Sequence, residues 1–166
     1  MPSFVPRSNQ PDKDLVMTPA NLAKEVLDHF NPQGHILDPS RGMGAFYNQF
    51  PTGKHYWCEL EEGVDFMEFG HKVDWIITNP PWSKMRQFLQ KGMEVSDNIV
   101  YLTTINHYTT KRRLRDMRQM GFGLKEIYNV PTPPRPWPSL GFQLAAIHTQ
   151  RGYTGDCKIS WHPDLV

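Results

Sequence analysis

The chain reads as an α/β protein: one mostly parallel sheet, helices on both faces, and a C-terminal antiparallel hairpin. Three observations predict this. Short apolar runs bounded by turn residues alternate with segments whose apolar residues recur at helical spacing. A strand, a glycine-bearing turn and a helix start follow one another over residues 35–50. The last two strands, over 124–130 and 142–149, have no helix between them, so they pair as a hairpin.

Residues 1–14 are polar and carry prolines, which suggests an arm over the surface of a single domain spanning 15–166. Thr18 suits a helix N-cap and Pro19 the first helical position. Leu22, Val26, Leu27 and Phe30 then keep helical spacing until Asn31-Pro32-Gln33-Gly34 stops the helix. Ile36 and Leu37 form a short buried strand, Asp38 to Gly44 a sharp turn, and Ala45 to Phe50 a helix start. His55 to Leu60 reads as the second strand. It ends in acid about twenty residues past the glycine turn, where a carboxylate takes ribose hydroxyls. Glu59 is the first choice there and Glu61 the second. After the central segment, Ser83 caps a helix with Met85, Phe88, Leu89 and Met93 facing inward. A strand over 98–106 and a basic helix over 108–120 follow. Residues 131–141 form a stiff loop rich in proline, bearing Arg135 and Trp137.

The central segment runs from Asp74 to Trp82. Trp75, Ile76 and Ile77 suit a buried strand. Pro80 and Pro81 remove two backbone donors, so the chain leaves the sheet at Asn79. An amide, two carbonyls without N–H partners and an indole are thereby set at the carboxyl end of a strand, where open α/β sheets bind ligands. This composition suits methylation of an amide-like or exocyclic nitrogen. The Asn79 side chain and the Pro80 carbonyl would accept its two hydrogens and aim its lone pair. Trp82 would offer a flat face to a planar group.

Composition narrows the alternatives. The 166 residues are 39% hydrophobic and 12% aromatic, enough for a sizeable core. A net charge of +1 predicts no global attraction to nucleic acid or membrane, yet charge is unevenly spread. Residues 84–118 hold eight basic side chains against three acids, and residues 59–74 hold six acids against one Lys. Lys111, Arg112 and Arg115 form the most charged turn and are candidate phosphate contacts. Cys58 and Cys157 lack metal-ligand spacing, as do the seven histidines, so no metal is expected. No signal peptide or long apolar run is evident, which predicts a soluble cytoplasmic protein.

Asp38-Pro39-Ser40-Arg41-Gly42-Met43-Gly44 resembles the D-P-x-x-G-x-G motif of amino-methyltransferases that use S-adenosylmethionine. Asn79-Pro80-Pro81-Trp82 resembles their [N/D/S]-P-P-[Y/F/W] signature, and Gly63-Val64-Asp65-Phe66 their G-x-D-F. The motif order is similar to that of adenine N6 methyltransferases, and the resemblance covers residues 15–150. It implies a Rossmann-like class I methyltransferase fold with a seven-stranded sheet. It further implies that Asn79, Pro80, Pro81 and Trp82 act in catalysis. Thr18, Pro19, Asp38, Pro39, Ser40, Gly42, Gly44, Glu59, Asp65, Phe66 and Asn79 would form the S-adenosylmethionine site. Asp38 would hold the cofactor's amino group, and Asp65 and Phe66 its adenine. The implied partner is DNA, in a bacterial or phage-infected cell, methylated at adenine N6. RNA adenine or guanine, and a protein glutamine, remain open as targets, as does an inactive homologue that only binds nucleic acid. Oligomeric state is open too. Sequence-specific DNA methyltransferases carry a separate target-recognition region, and this chain offers only the basic helix, the arm and the loop bearing Arg135 and Trp137.

Overall fold

The computed structural model describes residues 16–165. The arm expected over 1–14 lies outside them. Helix α1 (Ala20–Phe30) leads into β1 (Ile36–Asp38) and β2 (Tyr56–Trp57). Next come β3 (Val73–Thr78), α2 (Met85–Val95), β4 (Ser96–Thr104) and α3 (Lys111–Gln119). The chain closes with β5 (Phe122–Asn129), β6 (Leu144–Arg151) and β7 (Lys158–Trp161).

These strands form one seven-stranded sheet in the order β2-β1-β3-β4-β6-β5-β7. β6 is antiparallel to both β4 and β5, and the other pairings are parallel. From β1 the chain steps outward to β2 and then returns to the other side of β1 as β3. The carboxyl ends of β1 and β3 therefore flank a topological switch point, the place where open sheets leave a crevice.

Strand alternation sorts the two faces. Ile76, Ile99 and Tyr101 point to one side and meet α2. The Tyr101 hydroxyl donates to the Phe88 carbonyl at 2.7 Å. Gly92 lets the helix come this close, since a Cβ there would sit 3.0 Å from the same hydroxyl. Arg86 of α2 bonds Asp116 of α3 at 3.0 Å, so α3 lies on this face too. On the other face Phe30 of α1 packs edge-on to Tyr128 and His148, and His29 stacks on Tyr128 at 3.7 Å. Burial pushes the His148 imidazole down to about 4. It is therefore neutral, and its Nε2–H donates to Asn98 Oδ1 at 3.0 Å.

Several local expectations need correction. α1 begins at Ala20 with Pro19 as an extended N-cap residue, and no side chain caps it. Residues 45–50 make only a 3-10 turn over Tyr47–Gln49. Gly44 at φ +91° on one side and Pro51 on the other leave too few residues for an α-helix. The second strand stops after Trp57 because Glu59 and Val64 bridge to each other across a 3-10 turn. A 3-10 turn over Trp82–Lys84 delays α2, so Lys84 rather than Ser83 holds its N-cap position. α3 starts at Lys111, capped by the Thr110 hydroxyl, which accepts from Arg113 N at 3.2 Å. The hairpin β5–β6 is not the end of the sheet. β7 adds a parallel strand beside β5, and its mostly exposed Lys-Ile-Ser-Trp carries no burial pattern that would announce it.

Gly123 marks a close approach between β5 and the segment after β6. A Cβ at this position would run into the Tyr153 backbone carbonyl. Gly123→Ala should therefore cost about 1–3 kcal/mol, the usual scale of overpacking, measured by denaturant unfolding. A neutral or stabilising change would mean that the 150–155 segment moves aside freely.

Candidate functional site

Two chain reversals stand side by side at the switch point. After β1 the chain turns over Pro39 to Gly44, with Gly44 N donating to the Arg41 carbonyl at 2.9 Å. Gly42 adopts φ +55°, a conformation that glycine takes without strain. After β3 the two prolines turn the chain at Asn79. Thr78 joins the two reversals: its hydroxyl donates to Asp38 Oδ1 at 2.6 Å. Ser40 N donates to the same oxygen at 3.2 Å. Asp38 is wholly buried and its Oδ2 has no hydrogen-bond partner. Burial pushes its carboxyl up to about 7, against the pull of the Thr78 and Ser40 hydrogen bonds. The Tyr47 amide also draws it down without reaching hydrogen-bond geometry.

A cavity of about 540 Å³ opens above these turns. Of the residues expected to bind a cofactor, Thr18, Ser40, Gly42, Glu59 and Asn79 line it together. Glu59 fastens the glycine turn to the end of β2. Its Oε2 accepts from Gly42 N at 2.7 Å and its Oε1 from Glu61 N at 3.1 Å. Glu61 also lines the cavity, more exposed and later in the turn. The segment before α1 lies across the glycines, and a Cβ on Gly42 would come within 3.2 Å of Met17 Sδ. Asn79 donates from Nδ2 to the Val16 carbonyl at 3.5 Å, while its Oδ1 is buried without a partner.

Other expected residues sit elsewhere. Asp38 and Pro39 are buried beneath the turn, and Pro19 and Gly44 are also outside the lining. Asp65 and Phe66 do not line the cavity. Asp65 caps its own 3-10 turn through Met67 N at 2.9 Å, and Phe66, 2% exposed, packs on the Phe88 ring. Pro80 is buried and Pro81 half-buried. Trp82 offers little open face: it is 7% exposed, because its indole N–H finds its acceptor, the Leu102 carbonyl at 3.1 Å, inside the fold. Trp137 is likewise buried at 5%, so the proline loop uses it as an anchor rather than as a contact. Arg135, Lys111, Arg112 and Arg115 are exposed.

Sequence reading missed Arg41, Glu62 and Met43 on the cavity wall. Arg41 pairs with Glu62 and lies 3.8 Å over the Trp57 ring. The opposite charges of Arg41 and of the acid-rich stretch were the available signal. Among the described residues no group of His, Cys, Asp and Glu is arranged to hold a metal ion, and no helix is long and apolar enough to cross a membrane.

The cavity suits a ligand with a cationic group and hydroxyls. On its lining the buried amide oxygen of Asn79 lacks a partner, the carboxylates of Glu59, Glu61 and Glu62 stand on one wall, and Gly42 admits close approach; Asp38, with its own unpartnered oxygen, lies beneath the turn and outside the lining.

No family model matches the chain, and no curated protein sequence does. Solved structures share its architecture. It is similar to a candidate RNA methyltransferase of Pyrococcus horikoshii, 18% identical, with a TM-score of 0.68 over 87% of this chain and 92% of that one. A candidate class I S-adenosylmethionine-dependent methyltransferase of Listeria monocytogenes is 9% identical, with a TM-score of 0.66 over 93% and 68%. The modification subunit of a candidate type I restriction enzyme from Vibrio vulnificus is 17% identical, with a TM-score of 0.59. That match covers 91% of this chain and 47% of the subunit. The fold is thus the Rossmann-like class I methyltransferase fold, seven strands of mixed direction with helices on both faces.

The raised Asp38 carboxyl makes stability depend on pH. Its folded value of about 7 exceeds the ordinary 3.8, so the folded protein holds a proton that the unfolded chain releases. The stability that this proton contributes is complete below about pH 4 and is lost as pH rises through 7. Across that window the loss is at most roughly 4 kcal/mol. Asp38→Asn should remove this component, which unfolding measured from pH 4 to 8 on both proteins would reveal. Parallel stability profiles would mean that Asp38 titrates normally.

Proposed function

We propose that this protein is an S-adenosylmethionine-dependent methyltransferase that acts on the exocyclic N6 amino group of adenine in DNA. The observation that carries the reading is the buried, unpartnered Oδ1 of Asn79, at the rim of the glycine-turn cavity and one residue beyond the Thr78–Asp38 bond. An acceptor left unpaired there costs stability unless a ligand completes it.

S-adenosylmethionine, when bound, supplies an electrophilic methyl group. Glu59 would hold its ribose hydroxyls with Glu61 as the alternative, the turn through Ser40, Gly42 and Gly44 would pass beneath it, and Asp38, buried under that turn, would set the turn below the ammonium through Thr78 and Ser40 N. Thr18 would close the methionine end. Asn79 Oδ1 and the Pro80 carbonyl would accept the two hydrogens of the target amine. This turns its lone pair toward the cavity and stabilises the positive charge that develops on nitrogen. Pro80 and Pro81 contribute no N–H that could compete for those acceptors, while the Pro81 carbonyl is taken by Lys84 N at 3.0 Å. Trp82, being buried, would brace the turn more than it stacks on the target.

Lys111, Arg112 and Arg115 support a nucleic-acid substrate, since they stand exposed on α3, which follows the carboxyl end of β4. RNA is the second reading, supported by the likeness to the Pyrococcus protein over most of both chains.

Transfer of tritiated methyl groups to DNA, RNA and protein in parallel separates these readings. DNA adenine should be the labelled product. Label in RNA or in glutamine would move the substrate class. No transfer to any of them, with S-adenosylmethionine bound or not, would leave a nucleic-acid-binding homologue. Asn79→Ala should bind S-adenosylmethionine at near the parent affinity yet transfer methyl groups about 10²–10³ more slowly. Transfer at the parent rate would make the Asn-Pro-Pro segment a structural turn. Replacing Arg112 and Arg115 together with Ala should weaken nucleic-acid binding and lower its salt slope by about 2. An unchanged slope would make that face of α3 merely solvated.

A further inference from the structure

Within the basic run of α3, Arg113 behaves unlike its neighbours. Lys111, Arg112, Arg115 and Arg118 are exposed, whereas Arg113 folds inward. Its Nε donates to the His107 carbonyl at 2.9 Å, and its Nη1 is buried without a partner. Asp116, one turn on, gives its carboxylate to Arg86 of α2. Tyr108, next in the chain after His107, is completely buried with an unpartnered hydroxyl. His107 ends the 3-10 turn Ile105–His107 that follows β4 directly. Its ring lies 6.2 Å from that of Trp82, tilted by 50°. Trp82 in turn donates to Leu102 near the end of the same strand.

We propose that Arg113 is a positioning residue for methyl transfer: by holding the His107 carbonyl it sets the Ile105–Tyr108 turn against Trp82, and so fixes the catalytic Asn79-Pro80-Pro81-Trp82 segment. The proposal rests on the reading of that segment as the transfer site. The chemistry favours Arg in this place. One N–H anchors the loop while the planar group remains rigid, which a flexible ammonium does less well. The run of cations on α3 thus divides into two tasks: the outward side chains are placed to meet phosphate, and Arg113 ties the same helical turn to the catalytic one.

The test compares Arg113→Gln and Arg113→Lys with the parent in steady-state transfer, and follows the Trp82 indole N–H resonance in ¹⁵N-labelled protein, assigned with Trp82→Phe. Arg113→Gln should lower kcat by about tenfold, within the range that small misplacements cost. S-adenosylmethionine affinity, the KM for nucleic acid and its salt slope should stay near parent values. The Trp82 resonance should shift in Arg113→Gln, and Arg113→Lys, whose ammonium still reaches the carbonyl but holds it less rigidly, should recover only part of the rate and of the resonance. A change confined to KM and salt slope would overturn the proposal and make Arg113 a phosphate contact. An unmoved resonance would overturn it as well, whatever the rate. If the parent protein transfers no methyl group to DNA, RNA or protein, the functional reading fails instead. The resonance then decides alone whether Arg113 positions Trp82.

Discussion

The hydrogen bond between Thr78 and Asp38 joins the ends of two neighbouring parallel strands where the winding of the parallel half of the sheet reverses. Without that bond the glycine turn and the proline turn would leave the sheet independently. With it they share an origin, and the cavity between them has fixed walls. The cost is a buried carboxyl with one oxygen unpaired. Fully buried carboxyls are uncommon unless something completes them. Burial limits that cost by holding the carboxyl protonated, its value pushed up to about 7.

Around this clamp the charges are segregated. Acids gather on the cavity wall after β2, where Glu59 already ties the turn together through two backbone amides. Cations gather on α3, on the opposite side of the sheet from α1. A near-zero net charge therefore conceals two surfaces of opposite character. The segment before α1 belongs to the acidic side: Val16 and Met17 cross the glycine turn and reach Asn79. Their contribution depends on chain direction in space, which no local pattern records.

The sheet was legible where physics is local. Proline pairs end strands, glycine makes turns, and a missing helix between two strands forces a hairpin, so β1, β3 and the β5–β6 pair were all readable. What escaped had causes beyond the local pattern. β7 is short and exposed, so it carries no alternation. Residues 45–50 open on Ala45 but have too little room between Gly44 and Pro51 for an α-helix. At the site, Ser40, Gly42, Glu59 and Asn79 line one cavity, because each sits at or just beyond a strand end. The aromatic residues misled. Phe66, Trp82 and Trp137 read as ligand surfaces, but a large ring near a sheet edge gains more by burial, and the core took all three.

The burial of Trp82 has a wider consequence. Its indole belongs at once to the Asn-Pro-Pro segment and to the packing beneath β4. In many enzymes the reacting groups sit on mobile loops, and warming silences them before the scaffold melts. Here Trp82 ties the Asn-Pro-Pro segment to the strand beneath it. Loosening of that segment and melting of the sheet would then be one event, and a change that strengthens the interior near Leu102 would raise the temperature of both.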